Sequence, residues 1–535
     1  MSPALLDDLD DDLALMARVV QSQLGAATTS FFQRDLGLAA KVIEKDDQVD
    51  NLLGLIEEKC FRRIAGEGDA ETARARQFRG AFRVALNLEK LGDYAVNIAE
   101  QATHVARFPR RPPPFDLTGP TRVALAALDE VITAFTDVSV DKAKHACRCE
   151  LELDRQYREA LHATFELLAR PGEAPAFVIT HLFVAKFLER VGDSILNIGE
   201  TTLFILTGER LKLHQYLHLE EMVTGLAPTA RASGVDLHQI WGGISGARVG
   251  RLSVEGLPLL WKEGSERKID EELREIEAWN RVVPGLAPNV KARHQEGGRE
   301  SFLGQFLDGV LLRDVYLTRP WDEKIRATRR LLETLRDVWL ATLREGPSPT
   351  GSIPQIRDRL SELYAVHPGL ATLRRTPTRI FGIVHRSLGD LLDDLGAREP
   401  ALAPKALVRV HGDFNTNNVI YDPRRDRVHF IDVHRSGLGD YAQDVGVLLV
   451  SNLRSPLADP TLTAGLTRVN EIIRAFAAEF AVLIGDQHFG ARLTLAQARS
   501  FITSARLVAD ADFARRLYLQ GIQLLDRTAE TAAAA

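Results

Sequence analysis

The stretch "HGDFNTNNVIYDPRRDRVHFID", residues 411–432, decides the fold of the C-terminal half of this chain. Asp413 and Asn418 lie in one short polar loop, which is followed by a strand-like run, an Asp-Pro turn and a second strand-like run ending at Asp432. Such a hairpin would bring Asp432 back beside Asn418, and two oxygen ligands at one position suit a hard cation such as Mg²⁺. The stretch therefore predicts a strand-rich metal site next to a carboxylate.

The spacing of His411, Asp413 and Asn418 is that of the catalytic loop of protein kinases. In that loop the aspartate accepts the proton of the substrate hydroxyl and the asparagine holds a magnesium ion. Both are needed together, because the attacking hydroxyl must lie in line with the γ-phosphate while the metal neutralises phosphate charge. Asn and Asp are also ordinary turn residues, so a polar hairpin loop is the alternative. We expect Asp413 to be the catalytic base and Asn418 and Asp432 to bind Mg²⁺.

Two upstream features favour a nucleotide site. The segment "GISGARV", residues 243–249, lies between strand-like runs, and its small residues would let backbone amides approach phosphate oxygens. The candidate contacts there are Gly243, Ser245 and Gly246. Lys262 ends the apolar run "LPLLWK" and could reach the α- and β-phosphates of ATP. Each signal is weak alone, because glycine-containing hairpins are common and a lysine at a strand end is more often a surface residue.

A lysine in this role is oriented by a glutamate on the following helix. Apolar residues at helical spacing predict that helix over residues 268–283. We predict Glu275, which flanks the apolar stripe, as the partner of the lysine. Glu272 is a close alternative, because helical phase separates neighbouring residues poorly, whereas Glu271 and Glu277 are expected to face solvent.

With these upstream features, the segment "VRVHGDFNTNNVIYDPRRDRVHFIDVHRSGLGDYAQDVGVLL" resembles the aminoglycoside phosphotransferase and choline kinase-like family of small-molecule kinases. The resemblance covers residues from about 235 to 520. It implies an α+β bilobal, protein-kinase-like domain over 235–535, with a small lobe at about 235–306 and a large lobe at about 307–535. It also implies ATP and Mg²⁺ as cofactors and a hydroxyl of a small molecule as the phosphate acceptor.

The resemblance assigns two further roles. The segment "GDYAQDVG", residues 439–446, looks like the part of the family that follows the metal aspartate, which implies that Asp444 braces the catalytic loop. A helix N-cap is a compatible alternative for Asp444. The segment "FLGQFLDG", residues 302–309, resembles the strand between the lobes and implies adenine contacts near Gln305 and Phe306. The glycine-containing loop is looser than in protein kinases and "IDVHRSG" replaces Asp-Phe-Gly, which weakens a protein-kinase assignment more than a small-molecule one.

An internal repeat organises the N-terminal half. "LEKLGDYAVNIAE", residues 88–100, recurs as "LERVGDSILNIGE", residues 188–200, at an offset of 100 residues. Apolar residues recur at three- and four-residue spacing through residues 1 to about 220, so two antiparallel helical bundles are expected. The proline-rich segment 107–120 is expected to connect them, and residues 224–236 are expected to link the halves.

Each copy of the repeat carries a carboxylate pair four residues apart, so Glu89 with Asp93 and Glu189 with Asp193 each share one helix face and could bind a cation. An exposed acidic face, or salt bridges to nearby lysines and arginines, is the alternative. The half resembles the phosphate-transport regulator PhoU family, which implies two three-helix-bundle repeats at about 1–108 and 117–222 in a helical domain over 1–222. The resemblance also implies metal clusters on these acidic motifs and control of phosphate uptake. Secondary metal candidates are Asp47, Asp50, Glu150 and Asp154.

The composition excludes several classes of protein. A net charge of −6 and a pI near 6.2 over 535 residues give no basic footprint for nucleic acid. Three cysteines are too few for a disulfide framework and are expected to be reduced thiols. The acidic N-terminus does not resemble an export signal, and no run approaches the length of a membrane span, so we expect a cytoplasmic protein.

The sequence therefore predicts an ATP- and Mg²⁺-dependent kinase for a small-molecule hydroxyl, joined to a PhoU-like regulatory and metal-binding module linked to phosphate sensing. Phosphate-transport or signalling proteins are the expected protein partners, and a homodimer is one assembly to test. A non-catalytic nucleotide-binding regulator of phosphate uptake or signalling is the alternative, although Asp413, Asn418 and Asp432 are all present.

Overall fold

The computed structural model describes residues 7–66, 73–137, 139–207, 212–226, 238–242, 247–346, 351–404, 406–454 and 459–534. The chain falls into two compact units, of which the first comprises Met1–Ile244 with Arg248–Trp261 and the second comprises Ser245–Ala247 with Lys262–Ala535. Among the described residues, none of the helices is both long enough and apolar enough to cross a membrane.

The N-terminal half is helical, as predicted. Its helices are α1 Asp7–Gln33, α2 Leu36–Glu44, α3 Asp46–Gly66, α4 Ala73–Val105, α5 Thr118–Thr136, α6 Val140–Leu168, α7 Pro175–Thr207 and α8 Leu213–Leu226. The first repeat contains α1, the pair α2 and α3, and α4, whereas α5, α6 and α7 form the second. The break between α4 and α5 falls in the proline-rich segment, which supports its prediction as the connector.

The repeated motif lies where the helices pack most closely. Its apolar positions, such as Leu88 in α4 and Leu188 in α7, are fully or almost fully buried in one core. Each copy also has a glycine facing a neighbouring helix. A Cβ atom on Gly92 would lie 3.4 Å from the Asp46 carboxylate of α3, and one on Gly192 would lie 3.3 Å from the Cα atom of Glu150 in α6. These glycines therefore let the acidic helices approach each other.

The C-terminal half begins with a small β-rich lobe. Strands β1 His238–Gly242, β2 Arg248–Val254, β3 Leu257–Ser265, β4 Val290–Glu296 and β5 Arg299–Gln305 form one sheet in the order β1-β2-β3-β5-β4. Helix α9 Glu266–Val282 follows β3 directly. Strands β2 and β3 and helix α9 lie where the glycine-rich and amphipathic segments predicted strands and a helix, whereas β4 was not predicted.

The larger lobe is mainly helical. Its helices are α10 Leu312–Thr318, α11 Trp321–Thr342, α12 Ser352–Val366, α13 Leu388–Arg398, α14 Tyr441–Leu453, α15 Pro460–Leu483, α16 Phe489–Ser504 and α17 Ala511–Ala534. Its strands are β6 Val310–Leu311, β7 Arg344–Glu345, β8 Thr378–Ile380, β9 Ile383–His385, β10 Ala406–Val410, β11 Val419–Asp422, β12 Arg427–Phe430 and β13 Gly437–Gly439. The strands form the sheets β13-β10-β7, β12-β11-β6 and β8-β9. The fold class is thus confirmed: a helical half is followed by an α+β bilobal domain.

The predicted hairpin positions the residues at its two ends. β11 and β12 pair antiparallel, with Val419 opposite Phe430. One step further, the N–H of Ile431 donates to the carbonyl of Asn418 at 3.0 Å. Asp432 therefore emerges next to Asn418, as the sequence predicted.

Candidate active site

One buried ammonium group connects the small lobe to the hairpin. Lys262 near the end of β3 is 7% exposed, and its Nζ atom lies 2.7 Å from Oε1 of Glu272 and 2.8 Å from Oδ1 of Asp432. Glu272 belongs to α9 and is also buried. Burial alone would lower the pKa of Lys262, but the two carboxylates outweigh burial and raise it. The ammonium is therefore held in its charged form between two elements of the site.

The prediction of Glu275 as the partner of this lysine is wrong. Glu272 follows the buried Ile269 by three residues and precedes the buried Ile276 by four, so it lies within the buried face of α9. Glu275 lies at the border of that face and forms an ion pair with Arg409 of β10. Glu272 was the alternative considered from the sequence. Helical spacing could not decide for it, because Arg409, which engages Glu275, is distant in the chain.

Asp444 braces the catalytic loop through two backbone hydrogen bonds. The N–H groups of His411 and Gly412 donate to its carboxylate at 2.5 and 2.9 Å. Burial raises the pKa of Asp444 to about 7, although these two hydrogen bonds favour the ionised form. The N-cap of α14 is Asp440, so the N-cap alternative for Asp444 does not hold.

The backbone of the loop is shaped by a glycine and a buried histidine. Gly412 has φ +82°, and a Cβ atom there would lie 2.2 Å from the carbonyl oxygen of Arg435, so only glycine fits without movement of the backbone. His411 is fully buried, and its Nε2 atom lies 3.0 Å from the carbonyl oxygen of Ile431, to which it donates. Burial lowers the pKa of His411, which favours the neutral ring. The loop is thereby tied to the far end of the hairpin.

The two polar side chains at the centre of the site each leave oxygen atoms available. The Nδ2 group of Asn418 donates to the carbonyl of Asp413 at 2.8 Å, which leaves its Oδ1 atom as an acceptor. Oδ1 of Asp432 accepts from Lys262 and lies 3.3 Å from Nδ1 of His434, whereas its Oδ2 atom has no hydrogen-bond partner among the described residues. Two adjacent oxygen donors fit a hard cation such as Mg²⁺.

Asp432 is also unusual in its backbone and its charge. Its φ of +61° lies in the left-handed region, which aspartate tolerates better than most residues do. Burial opposes its ionisation, but the hydrogen bond from His434 and the charge of Lys262 hold its pKa well below the ordinary value. Asp432 is therefore ionised and available as a ligand. Sequence reasoning missed His434, and its position two residues after Asp432 was the available signal.

The carboxylate of Asp413 contacts two side chains of the site. Its Oδ2 atom lies 3.2 Å from Nη1 of Arg435, and its Oδ1 atom accepts from Nδ2 of Asn415 at 3.2 Å. Its backbone carbonyl faces Asn418, as described above. The loop thus carries the predicted base Asp413 and the predicted metal ligand Asn418 in direct contact through the Asp413 carbonyl, and phosphoryl transfer needs both groups together.

The other predicted nucleotide contacts are less fully defined. Gly243, Ser245 and Gly246 lie outside the described residues. Gln305 ends β5, and its backbone N–H already donates to the carbonyl of Asn289 at 2.8 Å. Phe306 follows it in the segment between the lobes. The roles of these residues in nucleotide binding stay predictions.

In the helical half, the first repeat brings four carboxylates together. Burial raises the pKa of Glu89, and the neighbouring charges of Asp93, Asp50 and Asp46 raise it further. The pKa of Asp93 is raised by burial and by Asp46 and Asp50. Among the described residues, none of these carboxylates forms an ion pair. Sequence reasoning missed Asp46, whose four-residue spacing to Asp50 repeats the pattern of the motif. The charge of Asp47 contributes to the raised pKa of Asp46.

The second repeat has a similar cluster, but its carboxylates have cationic partners. Glu189 lies 2.6 Å from Lys186, and Asp193 lies 3.2 Å from Arg190. Burial raises the pKa of Glu150, with further contributions from Asp154 and the two motif carboxylates. The unneutralised cluster of the first repeat is therefore the stronger candidate for a cation. Metal binding at either cluster stays a prediction.

Comparison with known proteins identifies both halves. The PhoU domain family matches residues 13–102 and 121–202, and the phosphotransferase enzyme family APH matches residues 236–480. A PhoU homolog of Caulobacter vibrioides is 30% identical over 210 residues, which cover 38% of this chain and 90% of that protein. The PhoU protein of Escherichia coli is 26% identical over 222 residues, which cover 42% of this chain and 92% of that protein.

Solved structures show similarity in each half. The crystal structure of PhoU from Pseudomonas aeruginosa is 25% identical, with 38% of this chain and 98% of that chain covered at a TM-score of 0.37. A thermostable mutant of aminoglycoside phosphotransferase APH(4)-Ia in apo form is 17% identical, with 56% and 96% covered at a TM-score of 0.39. The chain belongs to the PhoU family through its N-terminal half and carries a phosphotransferase domain of the APH family in its C-terminal half.

The raised pKa of Asp444 predicts a specific pH dependence of stability. Its folded pKa of about 7 lies above the ordinary value of 3.8, so the folded state binds this proton more tightly than the unfolded state does. The stability contributed by the protonated group is fully present below about pH 4 and is lost as the pH rises to about 7. The stability difference between wild type and Asp444→Asn should fall by up to about 4 kcal/mol over this range.

Denaturant unfolding followed by tryptophan fluorescence measures this difference in the C-terminal half, because all five tryptophans lie at residues 241–339. Using the difference between the two proteins removes the contributions of the other titrating groups. A stability difference that stays constant or grows from pH 4 to pH 7 would show that the Asp444 carboxylate is ionised throughout.

Proposed function

We propose that this protein is an ATP- and Mg²⁺-dependent kinase that phosphorylates a hydroxyl group of a small molecule. The observation that carries the proposal is the arrangement around Lys262, whose ammonium is shared by Glu272 and Asp432 at hydrogen-bonding distance. Asn418 lies beside Asp432 through the backbone bond from Ile431. A lysine, its helix glutamate and two oxygen ligands are the parts from which phosphotransferases of this architecture bind Mg²⁺-ATP. The match to the APH family supports the same activity.

Each residue has a distinct role in this proposal. Lys262 binds phosphate oxygens of ATP, and Glu272 orients the ammonium so that it does not rotate away. Asn418 and Asp432 bind Mg²⁺, which would supply charge neutralisation at the transferred phosphate. Asp413 accepts the proton of the acceptor hydroxyl, and Arg435 holds the carboxylate in position. Gly243, Ser245 and Gly246 would cover the phosphates, and Gln305 with Phe306 would contact adenine.

The helical half is proposed to be a metal-binding regulatory module that responds to phosphate status. Its membership of the PhoU family supports a link to phosphate-transport or signalling proteins as partners. A kinase that uses ATP and such partners would act in the cytoplasm, and its assembly as a homodimer can be tested by light scattering. If the C-terminal half binds ATP without turning it over, the protein is instead a nucleotide-dependent regulator.

Replacement of the proposed base tests the catalytic assignment. Asp413→Asn keeps the size of the side chain but removes the carboxylate, so phosphotransfer should fall by about two orders of magnitude or more. The affinity for ATP should change little, because the Asp413 carboxylate contacts Arg435 and Asn415, neither of which is proposed to bind ATP. The control is Asp322→Asn, the same chemical change at an exposed residue of α11. ADP release during an acceptor screen and calorimetric ATP titration give the two readouts. Full turnover in Asp413→Asn would refute the assignment of the base.

The two acidic clusters predict unequal metal binding. Within the described ranges the first forms no ion pair, although the charge of Lys90 acts on Glu89. In the second, Lys186 and Arg190 pair directly with Glu189 and Asp193. We expect Glu89→Ala with Asp93→Ala to lose most of the bound metal, and Glu189→Ala with Asp193→Ala to lose less. Metal content is measured by mass spectrometry after dialysis against Fe²⁺, Mn²⁺ or Zn²⁺ and removal of free ions. Equal losses in the two double variants, or a larger loss in the second, would contradict the asymmetry.

A further inference from the structure

Arginine side chains collect near the carboxylate of Asp413. We call this set the arginine cluster, and its members are Arg359, Arg435, Arg454, Arg499 and Arg506. They come from α12, from the segment after β12, from the end of α14 and from α16 and the turn behind it. None of them is proposed to bind ATP or Mg²⁺. Arg435 has a role in the proposed transfer only because it holds the carboxylate of Asp413.

Two members are placed by direct contacts with the catalytic loop or its neighbours. Nη1 of Arg435 lies 3.2 Å from the Asp413 carboxylate. Arg454 follows Ser451 by three residues at the end of α14, and the hydroxyl of Ser451 accepts from the backbone N–H of Thr416 at 3.3 Å. The charge of Asp413 also acts on the guanidinium of Arg454, so both groups lie near the proposed base.

Helical geometry places Arg359 among the others. Gln355, Arg359 and Glu362 are four and three residues apart on α12, so they share one face. Gln355 accepts from Nη1 of Arg499 at 2.6 Å, and Glu362 lies 3.2 Å from Nε of Arg506. Arg359 thus lies between residues that engage the two arginines of the opposite elements. After burial, the largest charges that act on Arg359 are those of Arg506, Arg435, Asp413 and Glu362.

The cluster has more positive charge than its own carboxylates neutralise. Arg499 is 7% exposed, yet its Nη1 atom donates to the side-chain amide oxygens of Gln355 and Gln443, which carry no charge. Arg454 donates to the hydroxyl of Ser504 at 2.9 Å. Arg359 has no hydrogen bond or ion pair within the described ranges. Because a buried guanidinium without a carboxylate partner is costly, this arrangement is expected where an anion completes it.

The largest charges that act on the proposed ATP side of the site come from within it. After burial, these are, for Lys262 and Asp432, the charges of each other, Glu272 and His434. On the arginine side, burial is the largest cause that lowers the pKa of Arg499 to about 10. The charge of Arg359 lowers this pKa further, whereas the charges of Asp444, Asp413 and Asp440 oppose the shift. Asp413 lies between the two sides, because its carbonyl accepts from Asn418 while its carboxylate meets Arg435.

On the basis of the proposed phosphotransfer, we propose that the acceptor is an anion. It is a small hydroxyl compound carrying a phosphate or carboxylate group, which the arginine cluster binds while the hydroxyl reaches Asp413. The hydroxyl oxygen forms a bond to the γ-phosphorus, and the bond from that phosphorus to the β–γ bridging oxygen breaks. The electron pair leaves with ADP, and Asp413 takes the hydroxyl proton. Guanidinium groups suit both anions, because their paired N–H donors match phosphate and carboxylate oxygens.

The test compares matched compounds that differ only in charge. Glycerol, glycerate, glycerol 3-phosphate and ethanolamine are offered to the full-length protein with Mg²⁺-ATP, and ADP release is measured. We expect turnover with glycerate or glycerol 3-phosphate, and the preferred compound distinguishes carboxylate from phosphate recognition. Calorimetric titration of the same compounds with saturating Mg²⁺-ADP measures binding independently of turnover. Preference for glycerol or ethanolamine in both assays would overturn the proposal.

The variant Arg359→Gln and its control Arg357→Gln locate the binding site. Arg357 lies on the same helix but pairs with Asp393 at 2.7 Å, away from the cluster. Arg359→Gln should raise the KM or Kd of the anionic compound at least about tenfold, with the KM of ATP unchanged, whereas Arg357→Gln should behave as wild type. If wild type binds the anionic compound, Arg359→Gln does not, and neither protein releases ADP with any compound, the anion site is supported and the proposed kinase activity is refuted. Anion binding that is absent from wild type or insensitive to Arg359→Gln would refute the anion site.

Discussion

The site depends on one buried ammonium group with two carboxylate partners. Lys262 lies between Glu272 of α9 and Asp432 after the hairpin, so a strand, a helix and the segment that follows the hairpin share one electrostatic contact. Removing one partner of a buried ion pair leaves a charge without compensation, which typically costs about 3–5 kcal/mol. Each of these elements is therefore constrained by the other two. The backbone N–H groups of His411 and Gly412 donate hydrogen bonds to the carboxylate of Asp444, and these bonds fix Asp413 relative to that contact.

The sequence predicted those parts of the site that are set by local spacing. Asp413, Asn418 and Asp432 lie within one loop and one hairpin, and hairpin register alone brings the latter two together. The halves and their fold classes were predictable for the same reason, because the helical repeat and the strand-rich block are visible within short windows. The resemblance to two known families added the roles, and the family matches agree with it.

Errors arose where distant residues decide the outcome. Glu272 and Glu275 border the same helix face, and the choice between them depends on Arg409, which engages Glu275 from a strand more than a hundred residues later. Asp46 was missed because its approach to Glu89 depends on the packing of α3 against α4 across Gly92. The arginine cluster was invisible for a similar reason. Its members are separated along the chain and meet only through the packing of α12, α14 and α16.

The most direct test of this account compares two conservative variants of α9. Glu272→Gln removes the carboxylate that orients Lys262, whereas Glu275→Gln removes the carboxylate that pairs with Arg409. The measurement is kcat/KM for ATP in each full-length variant, below its unfolding temperature. The account predicts a loss of about tenfold or more for Glu272→Gln, equivalent to about 1.4 kcal/mol of transition-state stabilisation, and a smaller loss for Glu275→Gln. A larger loss in Glu275→Gln than in Glu272→Gln would contradict it.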